Sequence, residues 1–384
     1  MMSASLWLKP DAVFDGSDIK TGYLIKIDNG CVRQIVPEQD ISKNKTALPL
    51  SCVVCPGFVD LQVNGGGGFL LNENPSAKVM LEILRNHRCF GISAIMPTLI
   101  TDAPETLAKA VDAGIEVKDT SGLLGLRIEG PHIAVERRGA HEEKFVRAFA
   151  ENTFELVEKL RSFVIPVIIT LAPEVVDGSV ISRLAAKGAI VSLGYRNADV
   201  TQTEAALKQS ARAFTHLFNA MPPMLTRASG IVAAAINSDA YTGIIGDGVH
   251  VHDEMIKLAI RVRLVPDRIF IVSDSMPSVG GPEEFDLYGR TVALQNGQMV
   301  NSEGSLAGAH ITMPQTVSRF INHLSIAPAQ ALKMATSVPA GLINNLQAGQ
   351  IQSRDLADLV ALDNDFSYLD NMVDYLKKAI AFLN

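Results

Sequence analysis

Several apolar runs in this 384-residue chain end on residues that could do chemistry: Gln62 and Asn64, Glu129, Glu174, Tyr195, His216, His250 and Asp274. Glu129 sits in RIEGPHI, directly after an apolar run. A carboxylate there is costly to bury unless it is paired or bound to a cation. His216 lies in FTHLFNAMPP. Glutamate and histidine together suit a borderline divalent metal such as zinc, although two ligands are too few for a complete site. Taken singly, each is more often a hydrogen-bonded structural residue. Asp274, in IFIVSDSMP, could take a proton from a metal-bound water and hand it to a leaving amine. Its competing role is a helix cap or loop hydrogen-bonder.

Two further groups suit an anion. Arg227 follows NAMPPMLT, and His250 lies in GDGVHVH. A guanidinium grips phosphate bidentately and an imidazole adds a donor. By residue type alone, a surface arginine and a loop histidine are the commoner reading. The glycine run NGGGGF at 64–69 permits close backbone approach but lacks the GK[ST] of a P-loop. His87, His132, His252, His310 and His323 carry no spacing argument.

The elements that must position these residues follow from periodicity. After Pro56, apolar runs alternate with helical patterns: VVCPGFVDLQV, SAIMPTLI, GLLGLRIEG, IPVIITLAPE, AIVSLGYRN, AFTHLFNAM, YTGIIGDGVHV and RIFIVSDSMP. Eight near-continuous apolar strands with helices between them predict an α/β fold, a parallel (β/α)8 TIM-like barrel. The same alternation also fits a doubly wound open sheet. The eight repeats and the polar strand ends favour the barrel, which would gather those ends at one mouth. The first fifty-odd residues instead alternate short strands and turns (SLWLK, AVFDG, GYLIKIDNG, CVRQIV), with DNG as a hairpin signal. The tail DLADLVALDNDFSYLDNMV returns to that texture. A small β-sandwich domain from 1–54 and 346–384 and a barrel over 55–345 are therefore expected.

Composition narrows the function classes. The chain is 47% hydrophobic and 20% charged, enough for a sizeable core. Its net charge of −7 argues against a general nucleic-acid partner, which needs a basic face. No apolar run reaches transmembrane length, so no membrane partner is expected. The start, MMSASLWLKPDAVFDG, lacks a signal-peptide pattern. The four cysteines are too sparse for a disulfide scaffold, and Cys52 and Cys55 have no second metal-spaced pair. A cytoplasmic location is expected.

Taken in order, PGFVDLQVNGGGG, IEGPHI…RRGAH, LAPE, THLFNAM, GDGVHVH, VSDSMP and GSLAGAHITM resemble the N-acetylglucosamine-6-phosphate deacetylase family of the amidohydrolase superfamily. The resemblance spans nearly the whole chain. It implies hydrolysis of N-acetylglucosamine 6-phosphate to glucosamine 6-phosphate and acetate. It also implies Glu129 and His216 as metal ligands and Asp274 as acid and base. Gln62, Ala140, His141, Asn219, Ala220, Arg227, His250, Leu306, Ala307 and Gly308 would contact the sugar phosphate. Many amidohydrolases carry His-x-His on the first strand; Gln62 and Asn64 here resemble the single-metal branch. One divalent ion is thus implied, zinc or else iron, manganese or cobalt. So is a homodimer.

The fifth strand departs from the pattern. The family motif there resembles G-H-S-N-A, with its histidine a metal ligand, whereas this chain has Gly194-Tyr195-Arg196-Asn197-Ala198. Ionising a phenol of pKa about 10 at pH 7 costs on the order of 4 kcal/mol before a metal contributes. Tyrosinate is not a usual zinc ligand, and Arg196, if it points inward, adds positive charge. Three readings follow: a working deacetylase whose metal is absent or held weakly by Glu129 and His216, with waters or Tyr195 completing the shell; a deacetylase of a different acetamido sugar phosphate; and a sugar-phosphate-binding protein impaired in hydrolysis.

Overall fold

The computed structural model describes residues 6–42 and 46–383, so Ser5 at the head of SLWLK lies outside it. The chain forms two units, one of residues 1–59, 87–94 and 313–384 and the other of 60–86 and 95–312.

The first unit holds a seven-stranded mixed sheet. Leu6–Phe14 pairs antiparallel with Tyr23–Asp28, and its other edge runs parallel to Leu48–Pro56. Leu48–Pro56 then pairs antiparallel with Leu359–Leu362, so strands from both ends of the chain share one sheet. The DNG signal forms the hairpin between Tyr23–Asp28 and Cys31–Pro37. Asn29 and Gly30 carry φ of 51° and 78°, the left-handed pair that a two-residue turn of this hand requires. Leu8, Val13, Ile25, Val54, Leu359 and Met372 pack the core beneath.

The second unit carries most of the barrel, whose strands starting at Phe58 and Ile92 begin in residues of the first. The barrel strands are Phe58–Val63, Ile92–Ile100, Leu126–Glu129, Val167–Leu171, Ile190–Leu193, Ala213–Phe214, Tyr241–Ile245 and Ile269–Val272. Each neighbours the next in chain order, as successive right-handed β-α-β units require. Burial on both faces explains the unbroken apolar runs. The interior is not wholly apolar. Arg127 lies inside it, its Nη2 donating to Thr215 Oγ1 at 2.8 Å and Thr170 Oγ1 at 3.3 Å. Thr215 also meets Ser192 Oγ at 2.7 Å.

The first and eighth strands meet partly through a side chain. The buried Asp60 carboxylate accepts the Ser273 N–H, 3.3 Å from each oxygen, and the Gln62 N–H at 3.1 Å. Above it, Asp274 N–H donates to the Gln62 carbonyl at 3.1 Å. Burial raises the Asp60 pKa to about 7 against those hydrogen bonds, with Asp274 adding to the rise. An unfolded aspartate titrates near 3.9, so the folded protein keeps this proton longer. The group's contribution is therefore most favourable below about pH 4. It declines as pH rises towards 7, by on the order of 4 kcal/mol. Asp60→Asn keeps an acceptor for Ser273 and should flatten that part of the pH dependence. Urea midpoints at pH 4 and 7 test this; an unchanged slope would remove Asp60 from the titration.

Candidate active site

The C-terminal strand ends enclose a cavity of about 360 Å³. Asn64, Glu129, Tyr195, His216, His250 and Asp274 line it from the barrel, with Ala140, His141, Asn219, Ala220 and Leu306 to Gly308 from the loops. Gln62 reaches it through Asp274. Arg227 is exposed in its loop and is not among the lining residues. Glu174 is likewise outside, accepting the Asn197 N–H.

Local backbone aims these groups inward. Tyr195, His216 and Asp274 take φ of 53°, 27° and 50°. Non-glycine residues in that region cost about 1–3 kcal/mol each and persist where the surroundings over-determine them. Gly194, just before Tyr195, has no room for a side chain: a Cβ would lie 2.9 Å from both Thr170 Cγ2 and Thr215 Cβ.

Asp274 is held by two amides. Gln62 Nε2 and Asn64 Nδ2 donate to its Oδ1 at 3.0 and 2.8 Å. Burial and the charge of Glu129 raise its pKa, against the pull of His216, His250 and the Asn64 hydrogen bond. An aspartate so placed is suited to exchange a proton with a ligand. His250 donates from Nδ1 to Asp247 Oδ2 at 2.6 Å, which leaves Nε2 for a ligand. Burial opposes its charge, but Asp247, with help from Asp274, wins and raises its pKa. His141 pairs through Nδ1 with Thr101 Oγ1 at 2.6 Å, and burial lowers its pKa to about 4 despite Glu129, keeping it neutral.

Glu129 is the hub. Its Oε2 accepts from Arg127 Nε at 3.1 Å, and its Oε1 accepts from the Tyr195 hydroxyl at 2.5 Å. His216 Nε2 lies 3.6 Å from the same Oε1. Burial alone would raise the Glu129 pKa, but His216, Arg127 and His141 hold it well below the usual range. Burial, the charges of Glu129 and Asp274 and the hydrogen bond to Glu129 push the Tyr195 phenol well above its ordinary value. Arg196 does not enter the cavity. It is fully buried, with its guanidinium 5.2 Å from the centre of the Phe214 ring.

As a metal centre this donor set is incomplete. Bonds of about 2.0–2.2 Å from one tetrahedral ion bring two ligand atoms to a separation near that of Glu129 Oε1 and His216 Nε2. Tyr195 beside them is a protonated hydrogen-bond donor to Glu129. Among the described residues, no group of three or more His, Cys, Asp or Glu could hold a metal ion.

Arg127 was not among the residues singled out from sequence. Its signal was the alternation itself, since residues two apart on a strand share a face, and Arg127 and Glu129 are two apart.

Comparison with known proteins agrees with this geometry. Residues 53–383 match the amidohydrolase family model. The N-acetylgalactosamine-6-phosphate deacetylase of Shewanella sp. (strain ANA-3) is 38% identical over 313 residues, 80% of this chain and 79% of that one. The human N-acetylglucosamine-6-phosphate deacetylase is 33% identical over 343 residues, 83% of this chain and 80% of that one. The crystal structure of the N-acetylglucosamine-6-phosphate deacetylase from Pasteurella multocida superposes with a TM-score of 0.87 at 33% identity, covering 95% of this chain and 97% of that one. The amidohydrolase match implies a divalent metal cofactor. With the barrel, the ordered strand ends and these relatives together, the chain belongs to the amidohydrolase family, among its N-acetylhexosamine-6-phosphate deacetylases.

Proposed function

We propose that this protein hydrolyses the acetamide of N-acetylglucosamine 6-phosphate, giving glucosamine 6-phosphate and acetate. The observation that carries the reading is Asp274, fixed by Gln62 and Asn64 and facing the cavity in a neighbourhood that raises its pKa. In this reading Asp274 takes a proton from water as the water attacks the acetamide carbonyl carbon. It returns the proton to the sugar nitrogen as the C–N bond breaks. His141, Asn219, Ala220, His250 and the segment Leu306 to Gly308 hold the sugar, with Ala140 beside them. Arg227 is assigned to the phosphate from outside the cavity wall. Residues 55–345 are the catalytic part and 1–54 with 346–384 the small β domain. A homodimer and a cytoplasmic location complete the proposal; no helix among the described residues is long and apolar enough to cross a membrane.

The 38% identity to an N-acetylgalactosamine-6-phosphate deacetylase makes the C4 epimer the second substrate to test. Acetate release is measured from both N-acetylhexosamine 6-phosphates and from unphosphorylated N-acetylglucosamine, with zinc, iron, manganese or cobalt added in turn. Turnover confined to the phosphorylated sugars is expected. Binding of both phosphorylated sugars without turnover under any condition would make this a binding protein. Arg227→Ala should raise KM for the phosphorylated substrate about tenfold and leave kcat within about twofold, the signature of lost uniform binding. An unchanged KM would remove Arg227 from the phosphate site.

A further inference from the structure

We propose that Tyr195 and Arg127 together close Glu129 to a divalent ion, so that a phenol–carboxylate–guanidinium cluster stands where the family places its metal. The inference rests on the family assignment and the shape of the site, not on which sugar is the substrate.

The argument begins with what a buried carboxylate needs. Glu129 is 1% exposed, and a buried carboxylate needs a cationic or hydrogen-bonding partner. A metal would serve, but this chain supplies both kinds of partner itself. Arg127 sits on Oε2 at 3.1 Å and brings a fixed positive charge from below. Tyr195 sits on Oε1 at 2.5 Å and brings a hydrogen-bond donor from above. An entering ion therefore meets a carboxylate whose charge Arg127 already offsets. It must share Oε1 with the phenolic hydrogen or displace it, in the space the phenol fills, and then lie near a guanidinium that repels it.

The phenol cannot simply swing aside. Its ring is packed between two imidazoles, with centroids 4.4 Å from His141 and 4.8 Å from His216. The Tyr195 backbone is pinned as well, its carbonyl accepting the Ala134 N–H at 2.9 Å. The same contacts hold His216 beside Oε1. The two residues that could ligate an ion are thus both in place, and what stands at the third position is a proton donor instead of a lone pair.

The test reads metal, not acetate. The full-length chain is produced in medium supplemented with zinc, and its metal content is measured after dialysis against a weak chelator. Cobalt(II) is then titrated into the chain and into Tyr195→His, following the visible ligand-field bands and competition with a chelating dye. The parent should retain under about a tenth of an equivalent and show no tetrahedral cobalt spectrum. Tyr195→His should hold close to one equivalent, at least about a hundredfold more tightly, since even outer-shell changes shift affinity ten- to a hundredfold. One equivalent retained by the parent overturns the proposal, as does a folded histidine variant that binds no better. If that variant does not fold, the parent's content and spectrum decide alone. Metal bound by the parent sinks this inference while leaving deacetylation standing, and a metal-free parent that lacks turnover does the reverse.

Discussion

Asp274→Asn is expected to lower kcat for acetate release by about 10³- to 10⁴-fold while KM changes little. Asparagine keeps the shape of the side chain and an acceptor for Gln62 and Asn64, which hold Oδ1 at 3.0 and 2.8 Å. What it loses is the ability to take and return a proton, a contribution typically worth 10²–10⁴-fold for one positioned group. Because one residue serves both the attacking water and the leaving amine, the upper part of that range applies. The pH profile sharpens the test. The ionised carboxylate is needed for attack, and its pKa is raised by burial and by Glu129. The acid limb of kcat/KM should therefore lie above the ordinary carboxylate range, with activity rising as pH climbs through it. A loss of less than about tenfold on substitution would pass the proton role to another group.

The largest effect on stability should come from Arg127→Met. The pair with Glu129 is buried, the two side chains 2% and 1% exposed. Removing one member of such a pair leaves an uncompensated charge and costs about 3–5 kcal/mol. Methionine fills similar volume, so the loss is chiefly electrostatic, together with the hydrogen bonds to Thr170 and Thr215. Adding Glu129→Gln in the same chain should recover part of it, because the stranded charge is then gone. Urea midpoints for the parent, the two single variants and the double variant give the coupling directly. A single-variant loss below about 1 kcal/mol would mean that something other than Arg127 neutralises Glu129.

Much of this organisation was legible in the sequence. Barrel strands buried on both faces leave unbroken apolar runs, and their polar ends mark the mouth; hence Glu129, Tyr195, His216, His250 and Asp274 stand out in the sequence. The hairpin at Asn29–Gly30 was legible because only certain residues tolerate its backbone. The small antiparallel sheet Glu284–Leu287, Arg290–Gln295 and Gln298–Asn301 was missed. Its turns were written as YG and NG, with Tyr288, Gly289, Asn296 and Gly297 all at positive φ, but its strands are short and half exposed. That sheet matters because Ala307 N–H donates to the Met299 carbonyl at 3.0 Å and Ala309 N–H to that of Asp274 at 3.0 Å, which hangs the Leu306 to Gly308 segment over the cavity. The choice between metal ligand and proton donor at Tyr195 was not legible. It depends on the distance to Glu129 and on Arg127, and no local pattern encodes either. Nor could the sequence show that Arg196 turns away onto Phe214.

The positive φ at Asp274 has a further consequence for how the protein evolves and how it can be engineered. Position 274 carries two penalties at once, a buried carboxylate and a left-handed backbone. Asparagine relieves the first, being uncharged, and tolerates the second as aspartate does. The variant expected to be nearly dead should therefore melt higher than its parent, by an amount of order 1 kcal/mol in stability. A melting-temperature scan run with no substrate at all would then mark the catalytic position as a place where the natural residue is the worse choice for the fold.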